Sequence, residues 1–515
     1  MIFLASENGA LPGGKVGGVG DVTRDLPLAL AAADWQVSVA TPSYGSLHEL
    51  PGAVRVATID VEFRGSTHEV DVWSVLTDAA GVRNIVFDHA LFAQYGRGRI
   101  YHQDDDTRPF ASDANTFAFF SAAAAQYIHA SMRRPDVVHL HDWHAAFYLL
   151  LSHYSERYSH LSNIRTVFTI HNLSYQGTRP FRGDESSLEA WFPDLRPDFS
   201  TIVDPRYGDC VNPMASAIRL ADRIHAVSPT YATEICRPSD PPTGFIGGEG
   251  LENDLVRARD EGRLHGVLNG CYYDQPIGRK PGWQRLLNAI SEQLRSWQEK
   301  HPGNDAHGVA LEHLATLPKR RPAHVLTSIG RLVAQKATLL LHEFEDGTVA
   351  LGRIADAIGK QGAIIVLGSG DTDLEERMLT LARQTPNLIY LNGYAENLAA
   401  PLYRGGDLFL MPSSFEPCGI SQMLAMRGAQ PCIVHGVGGL KDTVDEGVTG
   451  FVFYGNSPAS QAEAFVDTTM RALDLRSSDP LGWKEISQAA AARRFDWTSS
   501  AAATIKTLYG DQDDR

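Results

Sequence analysis

The chain has 515 residues, 43% of them hydrophobic and 21% charged, with a formal net charge of −15. This length exceeds what one hydrophobic core can organise and predicts two or three domains in a soluble globular protein. The acidic total disfavours a protein that wraps nucleic acid or lies on an anionic membrane. The five cysteines form no CxxC pair, which disfavours a disulfide framework or a structural zinc site and favours a reducing compartment.

The sequence does not predict a signal peptide or a membrane-spanning helix. Residues 1–14 have no basic flank and only five residues before Ser6, too few for the apolar region of a signal peptide. The longest apolar stretch, 116–132, is interrupted by Ser121, Gln126 and His129, so we predict a buried helix there and not a membrane span. We therefore expect a cytoplasmic protein with no membrane partner.

Short β-rich runs alternate with longer helical patterns in both halves, which predicts two doubly wound α/β domains, each a parallel sheet with helices on both faces. The predicted strands are 2–6, 37–41, 84–88, 136–141, 166–170, 223–227 and 266–268, then 325–329, 363–367, 388–391, 408–411 and 432–435. Between these sets, 271–322 has little strand signal and is predicted as a connecting region with one helix at 286–299. Residues 511–515 are predicted as a frayed polar tail.

Polar side chains recur where these strands end. In open α/β sheets ligands bind outside the carboxyl ends of the strands, so two such crevices facing each other would form a cleft for a two-part substrate. The residues concerned are Glu7, Asp88, His89, His141, Asp142, His171, Asn172, Asn269, Arg331 and Glu416.

A glycine-rich loop follows the first strand. The run from Gly9 to Val16 nearly spells the phosphate-binding GxxxxGK[ST] loop, but Val16 has no hydroxyl for magnesium and further glycines follow where the helix should begin. A second interpretation is that backbone N–H groups and Lys15 approach an anion, with a helix from about Asp21. A merely flexible surface loop is the third.

Histidines and acids cluster near two further strand ends. The segment His139-Leu-His141-Asp142-Trp-His144 is close to the HxHxDH metal cluster of hydrolases, but its aspartate lies one position early and nothing nearby completes a coordination set. We predict a core histidine at 139 and a ligand-facing Asp142. His171 and Asn172 could bind sugar hydroxyls, although a lone histidine at a strand end is often structural.

The second half carries paired charges at strand-to-helix turns. Arg331 and Lys336 suit a diphosphate whose leaving-group charge must be neutralised, although either cation alone could be surface charge. Glu416 lies on a turn where an acid at a helix N-terminus is the ordinary explanation. Two glycine turns, at 368–370 and at 437–440 before a predicted helix at 440–444, would offer N–H groups to a second anion. Together they indicate a sugar-nucleotide site without a dedicated metal.

These motifs resemble those of bacterial glycogen synthases and plant starch synthases. Lys15-Val-Gly-Gly-Val-Gly-Asp-Val is similar to the KTGGLGDV opening of that family, and the later blocks follow in the family's order from Met1 to about Tyr509. These blocks are His141-Asp-Trp-His, Thr169-Ile-His-Asn-Leu-Ser-Tyr-Gln-Gly, Val227-Ser-Pro-Thr-Tyr, Val267-Leu-Asn-Gly, Arg331 with Gln335-Lys336, Phe415-Glu-Pro-Cys-Gly and Gly438-Gly-Leu-Lys-Asp-Thr-Val.

The resemblance implies a B-type glycosyltransferase (GT-B) fold, with two Rossmann-like domains around a cleft. It implies an N-terminal starch synthase catalytic domain at 1–270 and a nucleotide-sugar-binding domain at 323–492. The remainder, 493–515, would be a tail plus a helix, near 497–508, that returns to the first domain. The implied activity is transfer of glucose from ADP-glucose to the non-reducing end of an α-1,4-glucan, with retention of configuration and without cofactor or metal.

The resemblance also implies roles for individual residues. Asp142, His171, Arg331, Lys336 and Glu416 would be catalytic, with the two cations neutralising the diphosphate. Donor contacts would come from a larger set, and Tyr101 and Tyr175 are expected on the acceptor side. The donor set is Lys15, Gly17, Gly18, Asn269, Gly368, Tyr394, Cys418, Gly438, Gly439 and Leu440.

The chain departs from the family pattern at several positions. Val16 and Val19 replace the usual Thr and Leu, Ala337 replaces a Gly, and residues 209–217 replace a Phe-Leu-Lys-Ala-Gly pattern. These departures leave two alternatives open. One is a retaining GT-B glycosyltransferase that uses UDP-glucose or a small acceptor, and the other is a non-catalytic glucan-binding relative.

Overall fold

The structure is a computed structural model, and it describes residues 1–77, 81–273 and 278–510. The predicted polar tail at 511–515 therefore lies outside the described residues. The chain forms two compact units, each built on its own mostly parallel sheet. The first comprises Met1–Ser239, Gly247–Gly270 and the segment from Asp496, and the second comprises Asp240–Ile246 and Cys271–Phe495. The two predicted doubly wound α/β domains are thereby confirmed.

In the first unit, strands within the described ranges pair into a sheet in the order β11-β10-β7-β6-β1-β2-β5-β4-β3. All neighbours are parallel except the β3–β4 and β4–β5 pairs. The strands of this sheet are β1 (Ile2–Leu4), β2 (Val37–Pro42), β3 (Ala53–Phe63), β4 (Ser66–Val75), β5 (Val82–Asp88), β6 (Val137–His141), β7 (Arg165–Ile170), β10 (Arg223–Ala226) and β11 (Leu264–Gly266). Two further strands, β8 (Arg179–Pro180) and β9 (Cys210–Val211), form a separate antiparallel pair.

The helices of this unit cover the sheet. The predicted apolar helix at 116–132 is α2, whose side chains are nearly all buried. The helices are α1 (Gly18–Ala32), α2 (Ala111–Ala130), α3 (Phe147–Tyr154), α4 (Leu188–Trp191), α5 (Phe199–Ile202), α6 (Pro213–Leu220), α7 (Pro229–Glu234) and α8 (Glu252–Asp260). Short 3₁₀ turns lie at Leu47–Glu49, Ala90–Phe92, Trp143–Ala145 and Ser159–Asn163.

The hairpin of β3 and β4 has no counterpart among the predicted strands. Its two-residue turn, Arg64 and Gly65, has both φ angles positive, at 55° and 69°, as a hairpin turn that follows the strand twist requires. Only one face of this hairpin is buried, so its sequence alternates and lacks the continuous apolar run of a buried parallel strand.

The second unit is a six-stranded parallel sheet in the order β14-β13-β12-β15-β16-β17, counted over its described residues. The order reverses between β12 and β15, as in a Rossmann fold. Its strands are β12 (His324–Ile329), β13 (Gly362–Leu367), β14 (Leu388–Leu391), β15 (Leu408–Met411), β16 (Cys432–His435) and β17 (Gly450–Phe453). Its helices are α9 (Trp283–Lys300), α10 (Asp305–Thr316), α11 (Ala334–Ala337), α12 (Ala350–Ile358), α13 (Thr372–Gln384), α14 (Glu396–Gly405), α15 (Ser421–Arg427), α16 (Gly438–Thr443), α17 (Pro458–Ser478) and α18 (Pro480–Ala492), with 3₁₀ turns at Pro241–Thr243 and Gly359–Gln361.

The predicted connecting region at 271–322 is part of this unit. The helix predicted at 286–299 is α9, and a second helix, α10, follows it that was not predicted. Ile290 and Leu294 pack with Ile365 and Ile389 on one face of the sheet, while Ile364 and its neighbours face the other core. Because both faces of a parallel sheet must be covered, these helices are structural cover rather than a linker. Residues 274–277 of the region are not among those described.

The C-terminal segment belongs to the first unit. Helix α19 (Trp497–Thr504) and a π-helical turn (Ile505–Tyr509) follow the last helix of the second unit. Trp497 and Leu508 join Phe3 and Leu26 in one apolar cluster. Gly270 permits this approach, because a Cβ atom there would lie 2.8 Å from the Cα atom of Trp497.

Candidate active site

The first unit places acids where its strand order reverses. Glu7 follows β1 and Asp142 follows β6, and these two strands are neighbours from which the chain winds in opposite directions. Both residues are buried, at 2% and 6% exposed. The carboxyl ends of such strands are where doubly wound sheets bind ligands, so the topology alone brings these carboxylates to a binding edge.

Glu7 organises the glycine-rich loop. Its Oε2 atom accepts N–H groups from Val16 at 2.8 Å, Gly17 at 2.7 Å and Gly20 at 3.2 Å. Its Oε1 atom accepts the Tyr101 hydroxyl at 2.8 Å. The loop is therefore wound around a buried carboxylate, which satisfies backbone donors that would otherwise be available to a ligand.

This arrangement corrects the expectation of an anion-binding loop. The N–H group of Gly17 is taken by Glu7, so the loop does not present it to a phosphate. Lys15 forms an ion pair with Asp21, Nζ to Oδ1 at 2.6 Å, and is partly exposed. Gly18 is exposed and has open space beside it. Lys15 and Gly18 thus remain accessible, whereas the Gly17 amide does not.

Asp142 occupies an unusual backbone conformation. Its φ is 53°, a left-handed value that costs a non-glycine residue conformational energy. Its Oδ1 atom accepts the His171 N–H at 2.7 Å and the Asn172 N–H at 3.4 Å. Burial raises the pKa of Asp142 to about 7, against the lowering effect of these two N–H groups. The carboxyl group is therefore held where it changes protonation near neutral pH.

The histidines nearby are kept neutral. Burial lowers the pKa of His171 to about 3, and His225 adds to the effect. His171 Nε2 lies 2.9 Å from His141 Nδ1, and burial also lowers the pKa of His141 well below its usual value. A neutral imidazole can exchange hydrogen bonds with hydroxyl groups without adding charge.

The predicted core role of His139 agrees with its contacts. Its Nδ1 atom lies 2.7 Å from the Tyr509 hydroxyl and its Nε2 atom 2.6 Å from the Thr169 hydroxyl. Both ring nitrogens are occupied by protein groups, which leaves neither for a metal. Within the described ranges no group of three or more His, Cys, Asp or Glu side chains is arranged to hold one.

The predicted acceptor-side tyrosines differ in their surroundings. The Tyr101 hydroxyl lies between Ser6 Oγ and Glu7 Oε1, each at 2.8 Å, and burial raises its pKa well above the usual value. Tyr175 is 58% exposed, with its ring centroid 6.5 Å from that of Phe110. Asn269, just beyond β11, is buried. The structure thus joins Tyr101 to the Glu7 network and leaves Tyr175 at the surface.

The second unit places cations where its order reverses. Arg331 follows β12, and Glu416 follows the adjacent β15. Lys336 Nζ lies 2.9 Å from Glu416 Oε2, with Lys336 24% exposed and Glu416 8%. Arg331 and Lys336 also line one small cavity of about 20 Å³. Arg331 is exposed and has no hydrogen bond or ion pair to any other described residue, so its guanidinium is available to an anionic ligand.

Backbone N–H groups of the glycine turn at 437–440 donate to carbonyl groups of the same unit. Gly439 donates its N–H to the Glu416 carbonyl at 3.1 Å, and Leu440 donates to the Val437 carbonyl at 3.1 Å. The expectation that Gly439 and Leu440 supply free donors is therefore wrong: both amides have internal acceptors. A Cβ atom at Gly438, whose φ is 44°, would lie 2.1 Å from the Glu416 oxygen, so this glycine is required by the close approach of two loops.

The other predicted donor residues fall into two kinds. Gly368 donates its N–H to Leu391 at 3.1 Å, and a Cβ there would lie 1.9 Å from the Gly330 oxygen, so its need for glycine is steric. Tyr394 is 76% exposed, just beyond β14, and its ring face can stack on a planar base. Cys418 is buried, and a Cβ at Gly439 would lie 2.2 Å from its carbonyl oxygen.

Glu7, which organises the glycine-rich loop, is absent from the predicted catalytic and donor residues, although it was among the polar residues predicted at strand ends. One signal could have identified it, since Glu7 comes directly after a buried strand and directly before a loop rich in glycine. A buried acid there needs donors, and an exposed run of N–H groups supplies them.

Comparison with known proteins identifies the family of this chain. Residues 1–257 match the family model described as the starch synthase catalytic domain, and residues 323–471 match that of glycosyl transferases group 1. A glycogen synthase of Anaeromyxobacter sp. (strain Fw109-5) is 34% identical, with 99% of this chain and 98% of the relative covered. The chain belongs to the glycogen and starch synthase family. A glycogen synthase of Streptococcus equi subsp. equi (strain 4047) is 32% identical, with 98% of each chain covered.

A solved structure extends the family match to three dimensions. The catalytic domain of starch synthase IV from Arabidopsis thaliana, bound to ADP and acarbose, has a TM-score of 0.75 and 26% identity, with 99% of this chain and 98% of that one covered. The GT-B glycosyltransferase fold and the assignment as a glucosyltransferase of the glycogen synthase type are confirmed. None of the helices in the described ranges has the length and apolar character needed to cross a bilayer.

Proposed function

We propose that the protein transfers glucose from ADP-glucose to the non-reducing end of an α-1,4-glucan, with retention at the anomeric carbon. The observation that carries the proposal is the Lys336–Glu416 pair beside the exposed Arg331 at the reversal point of the second sheet. The relative from Arabidopsis was solved with ADP, and ADP is what remains when ADP-glucose gives up its sugar. The proposal uses no metal or cofactor.

We assign the two cations to the leaving group. As the bond from the anomeric carbon to the phosphate oxygen breaks, negative charge grows on the diphosphate, and Arg331 and Lys336 stabilise it. Glu416 holds Lys336 in position through the 2.9 Å contact and presents its remaining lone pairs to sugar hydroxyls. A preformed ion pair needs no reorganisation during the reaction, which is why it lowers the barrier.

We assign the groups of the first unit to the transferred glucose and the acceptor. Asp142 and the neutral imidazole of His171 offer hydrogen bonds to hydroxyl groups, and the Glu7–Tyr101 contact fixes the loop that carries Lys15. Retention is assigned to attack on the face that the diphosphate leaves, with the departing phosphate oxygen taking the proton of the acceptor hydroxyl. An uncharged glucan acceptor fits the acidic net charge of the chain, because its capture needs no electrostatic attraction.

The test is incorporation of labelled glucose into glycogen from a panel of donors. We expect incorporation from ADP-glucose, loss of it in Glu416→Ala and Lys15→Ala, and an α-1,4 linkage in the product. Faster incorporation from UDP-glucose, or transfer only to small sugars, would overturn the donor or acceptor assignment. Co-sedimentation with glycogen but no turnover of any nucleotide-glucose would instead identify a non-catalytic binding protein.

A further inference from the structure

The second unit has a pocket at the opposite edge of its sheet from the candidate active site. The pocket has a volume of about 490 Å³. Asp407, on its wall, immediately precedes β15, and Gly428 and Ala429 come shortly before β16. These are the amino ends of parallel strands, whereas Arg331 and Glu416 lie at the carboxyl ends.

The wall of this pocket is strongly cationic. Among the residues that the structure describes, five basic side chains and one carboxylate line it, an excess of four positive charges. The basic residues are Lys280, Arg404, Arg427, Arg476 and Lys484, and the acid is Asp407. The chain as a whole has a net charge of −15, so the local charge of this pocket is opposite in sign to that of the chain.

Asp407 cannot neutralise this excess. Its Oδ1 atom already accepts from Arg321 at 2.9 Å and from Lys280 at 3.3 Å, and it lies 3.1 Å from Arg476. Its Oδ2 atom accepts the Val325 N–H at 2.9 Å. One buried carboxylate thus serves three cations and a backbone amide, and it has little capacity left for the others.

Arg404 and Lys484 also line the wall, and neither forms an ion pair with an acid in the described part of the chain. The Nε atom of Arg404 is buried and has no hydrogen-bond partner in the part of the chain that the structure describes. Lys484 is exposed and forms no ion pair with any residue in the described ranges. A buried guanidinium nitrogen without an acceptor costs free energy, which an anion in the pocket would recover.

Helix capping explains only part of this arrangement. Arg404, Arg427 and Arg476 lie in the last turns of α14, α15 and α17, where a cation favourably meets the helix dipole. Lys280 precedes α9 and Lys484 lies in the first half of α18, so neither follows that rule. The helix dipole also does not explain why the C-terminal ends of these three helices lie around one pocket.

Lys280 is held in an environment that disfavours its charge. Burial lowers its pKa, and Arg321 and Arg476 act in the same direction against Asp407. A bound anion would supply the missing opposite charge. The volume is within the range of small-molecule sites, and Trp483, which stacks on Phe451, adds an apolar part to the wall.

We propose that this pocket binds a small phosphorylated molecule through its phosphate group. Arginine and lysine donors converging on one cavity match the three oxygens and the double charge of a phosphate. Strands of four to six residues separate the two edges of the sheet by roughly 13–20 Å, at about 3.3 Å per residue. The ligand can therefore be bound at the same time as a nucleotide at the carboxyl edge.

The test is calorimetric titration of the full chain with inorganic phosphate, glucose 6-phosphate and glucose, each in the presence of saturating ADP. ADP fills the donor site, so heat from the phosphorylated probes reports a second site. We expect one further equivalent to bind for the phosphorylated probes and none for glucose. Tighter binding of glucose 6-phosphate than of inorganic phosphate identifies a phosphate ester as the ligand, and equal binding identifies the free anion.

Variants locate the site. Arg404→Gln and Lys484→Gln should each weaken binding by roughly tenfold, since each removes a charge-assisted hydrogen bond. Arg383→Gln is the matched control: it removes one positive charge from the same unit, where Arg383 pairs with Asp305, and should leave the affinity unchanged. Because Lys484 is exposed, its substitution keeps the fold intact.

Three results would overturn the proposal. The first is no binding of either phosphorylated probe once ADP is saturating. The second is equal binding of glucose and glucose 6-phosphate. The third is a similar affinity in Lys484→Gln, Arg404→Gln and Arg383→Gln. If the glucosyltransfer assay fails, the Arg404→Gln and Lys484→Gln variants still report binding at this pocket, so the two proposals can be overturned separately.

Discussion

Both units place polar side chains where the strand order of the sheet reverses, but these side chains are mainly acidic in the first unit and mainly basic in the second. In each, the strand order reverses between two neighbouring parallel strands, and the residues just beyond them are polar. The first unit holds Glu7 and Asp142 there, beside histidines that burial keeps neutral. The second holds Arg331 and Lys336 around Glu416. The sheet therefore determines where a ligand can bind, while the loop after each strand determines which charge it meets.

The glycine-rich loops at these two places resemble each other in an unexpected way. The Gly17 amide donates to Glu7, and the Gly439 amide donates to the Glu416 carbonyl. In both loops glycine lets the backbone lie close to another segment of the chain, and the two amides form hydrogen bonds within the protein instead of with a ligand. In the proposed function, recognition of the charged donor is therefore assigned to side chains, chiefly Lys15 in one unit and Arg331 and Lys336 in the other.

The largest effect is expected from a substitution in the second unit, at the acid that contacts Lys336. Glu416→Gln removes the charge that positions Lys336, and we expect kcat for glucosyl transfer to fall by about 10²–10³-fold, as when one preorganised electrostatic group is lost. Steady-state assays with ADP-glucose and glycogen measure it. The matched control is Glu376→Gln, an exposed acid on α13, which should leave kcat unchanged. An equal loss in both variants would contradict a specific role for Glu416.

In the first unit, the pH dependence of the free energy of unfolding tests the protonation state of Asp142. The folded pKa of Asp142, about 7, lies above its usual value of 3.8, so the folded state holds a proton that the unfolded chain releases. Stability is thus lost as pH rises from about 4 to 7. Asp142→Asn removes this loss, and its gain in unfolding free energy should be larger at pH 8 than at pH 5 by about 2–3 kcal/mol.

Urea unfolding of both proteins at the two pH values checks this prediction through the transition of the first unit. Asp60→Asn, at an exposed position of β3, is the control and should change stability equally at pH 5 and pH 8. The same pH-independent difference for Asp142→Asn would show that its carboxyl group is not held protonated by burial.

A smaller effect is expected in the loop around Glu7. Glu7→Gln replaces the carboxylate by a neutral amide, so the Val16, Gly17 and Gly20 amides lose a charged acceptor and the free energy of unfolding should fall by about 1–3 kcal/mol. Hydrogen exchange of these three amides should become faster. Tyr101→Phe removes only the hydroxyl at Oε1, and faster exchange in that variant but not in Glu7→Gln would refute the assignment.

The smallest change in stability is expected for Lys15→Ala. Its partner Asp21 and Lys15 itself are both partly exposed, and such surface pairs contribute less than about 1 kcal/mol. Thermal unfolding should be nearly unchanged, while the KM for ADP-glucose rises. Arg24→Ala removes another contact to Asp21 and serves as the control that leaves KM alone. A large loss of stability in Lys15→Ala would make its role structural.

Much of the fold was predictable because parallel strands buried on both faces have continuous apolar runs. The runs at 388–391, 408–411 and 432–435 coincide with β14, β15 and β16. The hairpin of β3 and β4 and the helix α10 were not predicted, and α9 was predicted as part of a linker and not as cover for the sheet. A half-buried strand has only alternation to identify it, and a helix that covers a sheet has the same apolar stripe as a helix in a linker.

Local order in the sequence determined which residues follow each strand: Asp142 after β6, His171 after β7, Arg331 after β12 and Glu416 after β15. Tertiary structure decided what those residues do. The partners of the Gly17 and Gly439 amides, the raised pKa of Asp142 and the pocket that joins Lys280 to Lys484 all depend on contacts between distant segments. Hydrogen bonding, burial and charge act through space, so they appear only when the chain is folded.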